Sequence, residues 1–139
     1  VYKSGIGNLI GKIREHSLEN ICIHEGDIRD LIFVEEGFRF DEVYIICPDP
    51  WPKDRHHKRR LLNKEFFARI QACLKPNSLL FLSTDWKNYA EHIQDVLRDF
   101  EDKFSIENIK QIPGREFSKF QKKGIDEGRE IYSFKLSLI

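Results

Sequence analysis

Asp41-Glu42-Val43-Tyr44-Ile45-Ile46-Cys47-Pro48-Asp49-Pro50-Trp51-Pro52 is the stretch from which the fold can be read. Its first seven residues predict a strand. The second half of that strand is near-continuously apolar, as in parallel strands covered on both faces. The strand must stop at Pro48. Pro48, Pro50 and Pro52 each lock φ at about −65° and remove a backbone donor, which bars this segment from a helix interior or a central strand. The residues before them are biased toward extended backbone. Asp49 and Trp51 are therefore expected on a stiff, extended arm. Lys53, Arg55, Lys58, Arg59 and Arg60 follow within eight residues, with His56 and His57 between them. An acid and an aromatic on a stiff arm that runs into a basic cluster suit a flat polar ring held beside phosphates.

The flanking segments predict alternating helices and strands. Toward the C-terminus, Asn63 can cap a helix carrying Phe66, Phe67, Ile70 and Leu74 at helical spacing, which Lys75-Pro76-Asn77 would end. Leu79 to Ser83 reads as the next buried strand, closing at Thr84-Asp85. Trp86 to Phe100 reads as an amphipathic helix with Tyr89, Ile93, Val96, Leu97 and Phe100 on one face. Phe104–Ile112 and Ile131–Leu136 alternate as strands, and Gly114–Gly128 reads as a polar loop. Toward the N-terminus, Ser4 opens a helix with Leu9, Ile10 and Ile13 on its apolar stripe, ending near His16 to Leu18. Ile21-Cys22-Ile23 reads as a short strand, and Arg29 to Phe33 as a short helix. The alternation predicts an α/β fold with a mostly parallel sheet.

With 139 residues, 40% hydrophobic and 33% charged, the chain has the length and composition of one globular domain. Its formal net charge is zero, so any attraction for nucleic acid must come from local clusters, of which Lys53–Arg60 is the strongest. Cys22, Cys47 and Cys73 are an odd set without Cys-x-x-Cys spacing, which reads as reduced thiols in a cytoplasmic protein. No apolar run approaches the roughly 20 residues that span a bilayer, so no membrane partner is expected. The adjacent His56 and His57 lack a ligand spacing, so no metal is expected.

Pro48-Asp49-Pro50-Trp51 followed by the Lys/Arg/His run resembles the hallmark of the tRNA (guanine-N7)-methyltransferase family. Thr84-Asp85-Trp86 adds to the likeness, which covers nearly the whole chain and is clearest from Gly26 to Tyr89. The resemblance implies a Rossmann-like class I fold that uses S-adenosylmethionine to methylate guanine N7 of tRNA, usually at position 46 in the variable loop. It also implies that residues 1–139 are a single methyltransferase domain, the C-terminal part of a longer catalytic domain. The first two strands, the Gly-rich loop and the carboxylate that holds the cofactor ribose would then be missing from this chain. The missing strands would lie between Ile21–Ile23 and Val43–Cys47, and residues 1–139 alone would bind S-adenosylmethionine weakly or not at all.

In an open α/β sheet, ligands bind beyond the carboxyl ends of the strands. Asp27, Asp49 and Asp85 occupy such positions, although capping a helix or turn is the commonest fate of such an Asp. The resemblance implies Asp27 and the adjacent Ile28 at the cofactor adenine. It places Asp49 as the catalytic carboxylate where cofactor and guanine meet, with Asp85 as a second contact to guanine. Lys53 is expected toward the substrate, and Arg55, His56, His57, Lys58, Arg59 and Arg60 on tRNA phosphates. The ordinary alternative for the run is a solvated charged face. Trp51 has two readings, a base-stacking ring or a core filler. Ser118-Lys119-Phe120-Gln121 matches loosely a family motif of the Thr-x-x-Glu type that helps hold the substrate, with Gln121 where the acid would be. The alternatives to the enzyme are a non-catalytic tRNA-binding module derived from a methyltransferase, or a base-amine methyltransferase. Monomer and homodimer are both open.

Overall fold

The computed structural model describes residues 3–34, 37 and 39–139, which divide into two compact units, residues 1–36 and 37–139. In the first unit, helix α1 spans Lys3–Glu15 and α2 spans Ile28–Val34. The expected strand at Ile21–Ile23 does not form, and Ile21 and Ile23 remain 41% and 37% exposed. Three apolar residues make a strand only where a neighbour satisfies their backbone groups. Among the described residues of this unit there is no such neighbour.

The second unit carries strands β1 (Phe40–Ile46), β2 (Leu74–Thr84), β3 (Phe104–Ile109) and β4 (Tyr132–Leu138) in one sheet, ordered β1-β2-β4-β3. Helix α3 (Lys64–Ala72) follows β1, α4 (Lys87–Leu97) follows β2, and α5 (Lys119–Asp126) precedes β4. β1 pairs parallel to β2, whereas β4 pairs antiparallel to both β2 and β3. The expected mostly parallel sheet is therefore corrected: among the described strands it is mixed. The reason is insertion. β1, β2 and β3 all run the same way, as helical crossovers require, and β4 enters reversed between β2 and β3. The carboxyl ends of β1, β2 and β3 thus share one edge of the sheet.

Local chemistry explains the helix boundaries. Asn63 caps α3 by accepting from the Phe66 N–H at 3.0 Å, a contact worth about 1 kcal/mol. α3 ends at Ala72, three residues before Lys75, and its Phe66, Phe67 and Ile70 are buried. Lys75 to Ser78 instead belong to a register shift at the start of β2, with Asn77 at a left-handed φ of 63°. α4 buries Tyr89, Ala90, Ile93, Val96 and Leu97. With Leu80, Leu82, Phe104, Phe134 and Leu136 these side chains make the core.

The expected loop at Gly114–Gly128 contains α5. Ser118 and Gln121 form a capping box there: each side chain accepts from the other's backbone N–H, at 3.3 Å and 2.7 Å. The proline arm is not uniformly extended. Cys47 and Trp51, which precede Pro48 and Pro52, have φ of 49° and 44°. The pre-proline bias toward β is overridden at both positions. The last parallel rung, from the Cys47 N–H to the Ser83 carbonyl at 2.8 Å, holds the chain up to Cys47.

Candidate active site

The edge at the carboxyl ends of β1 and β2 carries two of the three expected acids. Asp49 lies three residues beyond Ile46, is exposed, and has no hydrogen bond or ion pair among the described residues. Asp85 follows Thr84 directly and is partnered. Its Oδ2 accepts from Arg129 Nε at 2.8 Å, and its side chain is 11% exposed. Arg129 also pairs with Glu127, and its guanidinium lies 5.7 Å from the centre of the Trp86 ring. Gly124 of α5 packs so close to Asp85 that a Cβ there would stand 2.6 Å from Oδ2. Cys47 feels the same acid. Burial, followed by the Asp85 charge, pushes its thiol up to about 11.

Asp27 belongs to the first unit. Its Oδ1 accepts from the Arg29 N–H at 2.9 Å, and the Arg29 side chain bonds both carboxylate oxygens. These bonds hold its carboxyl at about 2. The acid caps the first turn of α2, the commonest role for an Asp before a helix. Ile28 beside it is 37% exposed.

The basic run folds as a 3₁₀ turn, Asp54–Arg59, and this divides its members. Lys53, Arg55, Lys58 and Arg59 are exposed, and His56 and His57 are half-buried. Arg59 lies over the half-buried Trp51 ring, 4.9 Å from its centre, and His56 stands perpendicular to that ring. Trp51 is therefore a hub of the turn, half-buried and with a cation over its ring. Arg60 is 2% exposed and its guanidinium points inward. A charge run in a sequence cannot distinguish this arginine from its neighbours.

Ser118 and Gln121 face each other in the capping box, and Gln121, 4% exposed, also donates from Nε2 to Ser83 Oγ at 2.8 Å. An amide serves here because it accepts at one end and donates at the other. Beside them, Ile46, Gln111, Ile112, Arg115, Ser118 and Gln121 border a cavity of about 210 Å³. Arg115, which the sequence reading passed over, lies 3.8 Å over the Tyr44 ring. Arg129 was also missed. It stands 44 residues from Asp85, and no local pattern links the two.

The thiols test the electrostatics of this edge. A thiol raised to about 11 is expected to carry on the order of 10² less thiolate at pH 8 than an ordinary one. Iodoacetamide at pH 8, followed by peptide mapping, should modify exposed Cys22 well before Cys47. Equal rates would show that the Cys47 environment is not apolar and anionic.

Residues 1–134 match the family model described as "Putative methyltransferase". The tRNA (guanine-N(7)-)-methyltransferase of Nitrosomonas europaea is 38% identical over 137 residues, covering 94% of this chain and 60% of that protein. The enzyme of that name from Streptomyces avermitilis is 37% identical over 138 residues, covering 94% of this chain and 47% of its own length. The chain thus spans about half the length of the curated relatives it matches. A crystal structure of a methyltransferase homolog protein from Pyrococcus horikoshii superposes with a TM-score of 0.66 at 14% identity, over 99% of this chain and 51% of that one, and so shares the fold. With a methyltransferase-like α/β fold and a family match over nearly its whole length, the chain belongs to this methyltransferase family.

Proposed function

We propose that the protein methylates guanine N7 in tRNA with S-adenosylmethionine, forming 7-methylguanosine, with the variable loop at position 46 as the target. The observation that carries this reading is Asp49: an exposed, unpartnered carboxylate beyond the end of β1, followed after Pro50-Trp51-Pro52 by exposed Lys53 and Arg55. The names of the relatives support the same chemistry. S-adenosylmethionine supplies an electrophilic methyl group when bound. Ile28 offers an exposed apolar surface beside the Asp27 carboxylate, a pairing that fits an adenine ring and its amine. The Arg29 side chain must yield a bond to Asp27 for that contact to form.

Guanine N7 has an in-plane lone pair and no proton, so no general base is needed. The demand on the protein is placement, and effective molarity is the main gain. The methylated ring is cationic, and Asp49 stabilises that charge as it develops. Asp85 accepts from the guanine Watson–Crick donors through Oδ1, while Arg129 holds Oδ2. A carboxylate accepts but does not donate, which suits guanine and mismatches adenine N1. Lys53 faces the substrate. Arg55, Lys58, Arg59, His56 and His57 follow the RNA backbone. Ser118 and Gln121 support the edge from α5. The setting is cytoplasmic; among the described residues no helix is long and apolar enough to cross a membrane.

The phosphate contacts are tested by salt. In the full-length protein, Arg55→Ala is expected to weaken tRNA binding and lower the slope of log K against log salt by about 0.7–0.9. Cofactor affinity should hold. An unchanged slope in both Arg55→Ala and Lys58→Ala would return the run to a solvated face.

A further inference from the structure

We infer that Arg60 is a positioning residue that fixes the spacing of the two active-edge carboxylates, and not a member of the phosphate-binding set. Its Nε donates to the Pro50 carbonyl at 2.9 Å, and its Nη2 donates to Asn88 Oδ1 at 2.6 Å. Pro50 is the residue after Asp49. Asn88 lies three residues after Asp85, in the first turn of α4. One planar fork therefore bridges the loop that carries one acid to the helix that starts beside the other. The inference rests on the proposed reading, in which guanine is held between those acids.

Three observations make this more than a packing contact. First, Pro48, Pro50 and Pro52 have no N–H, so the arm cannot bond its own carbonyls in a regular ladder. Arg60 supplies the donor that Pro50 needs from outside the arm. Second, Arg60 is buried without a carboxylate partner among the described residues. Its acceptors are an amide oxygen and a carbonyl, and its guanidinium lies 4.9 Å over the Tyr89 ring. Burying a cation without a counter-ion is unfavourable, and desolvation accordingly lowers its pKa. Third, the anchor is itself braced. The Leu62 N–H donates to Tyr89 Oη at 3.1 Å, the Leu62 carbonyl meets His92 Nε2 at 3.0 Å, and Asn63 Nδ2 donates to the Arg60 carbonyl at 3.0 Å. Both ends of the excursion from Pro50 to Asn63 are thus tied to α4 or to α3's cap. A fork of two rigid donors can do this, whereas an ammonium group is a single point.

The test uses full-length Arg60→Lys, Arg60→Met and Asn88→Ala proteins. Single-turnover methyl transfer to tRNA is expected to fall roughly 10–100-fold in Arg60→Lys, the scale of a displacement of about 1 Å. Asn88→Ala, which keeps the cation and the Pro50 bond, should fall less. Arg60→Met should keep the wild-type salt slope for tRNA binding, because no phosphate contact is lost. A slope lowered like that of Arg55→Ala would overturn the inference. So would wild-type rates per folded molecule in both Arg60→Lys and Asn88→Ala. Hydrogen exchange at the Arg60 and Leu62 amides, which donate to the His57 carbonyl and to Tyr89 Oη, gives a readout without activity: faster exchange in Asn88→Ala supports the strut, and unchanged exchange overturns it. If the wild-type protein transferred no methyl group yet the exchange rose, the strut would stand and the tRNA reading would fail.

Discussion

Asp49→Ala in the full-length protein should cut single-turnover methyl transfer by roughly 10²–10³ while leaving tRNA affinity nearly unchanged. The split follows from the division of labour at the edge. Phosphate contacts supply most of nucleic-acid affinity, whereas one carboxylate aimed at the ring matters most as charge develops. Asp49 is exposed and unpartnered, so removing it breaks no internal bond and the melting temperature should hold. Asp49→Asn sharpens the result. It keeps shape and one acceptor but removes the charge. A rate near that of Ala would identify charge as the important property, and a rate near wild type would identify orientation. Neither variant should show the loss of a titrating base, because N7 has no proton to give up. Wild-type single-turnover rates in Asp49→Ala would remove Asp49 from the catalytic role.

Gly124→Val should have the second-largest effect, on both stability and rate. Even a Cβ at this position would stand 2.6 Å from Asp85 Oδ2 and 3.0 Å from its Cβ. Either α5 backs away or Asp85 turns, and each breaks the 2.8 Å bond to Arg129. Overpacking of this kind typically costs about 1–3 kcal/mol, enough to lower the melting temperature by several degrees. Gly124→Ala should show a smaller version of the same change. Because the clash is with a single side chain, Asp85→Ala should relieve part of the stability loss, and a double-mutant cycle would read that coupling. Additive effects in the cycle, or an unchanged melting temperature in Gly124→Val, would show that α5 does not bear on Asp85.

These two sites differ in how far the sequence exposed them. The place of Asp49 beyond β1 was legible because the prolines after an apolar run must end the strand there. β1, β2, α3 and α4 were legible for a related reason: their periods and caps are local. β4 was legible as a strand, but not its place between β2 and β3, since strand order is set by contacts far apart in sequence. α5 was hidden because its Ser118-x-x-Gln121 signature was read for substrate contact and its exposed residues are mostly polar. Gly124 looked like a loop glycine for the same reason. Ile21–Ile23 had the composition of a strand, yet composition does not supply a neighbour. Arg60 and Arg59 are adjacent and identical in charge, and only the fold turns one onto the Trp51 ring and the other under Pro50.

The atom that receives the methyl group separates guanine N7 methylation from every other transfer to tRNA. The decisive measurement is single-turnover transfer from labelled S-adenosylmethionine by the full-length protein to two tRNA transcripts, one ordinary and one made with 7-deazaguanosine. The second transcript keeps guanine's Watson–Crick face but replaces the N7 lone pair with C–H. Label is expected in the ordinary transcript, recovered as 7-methylguanosine, and none in the deaza transcript. Equal labelling of both, or none in either, would contradict it.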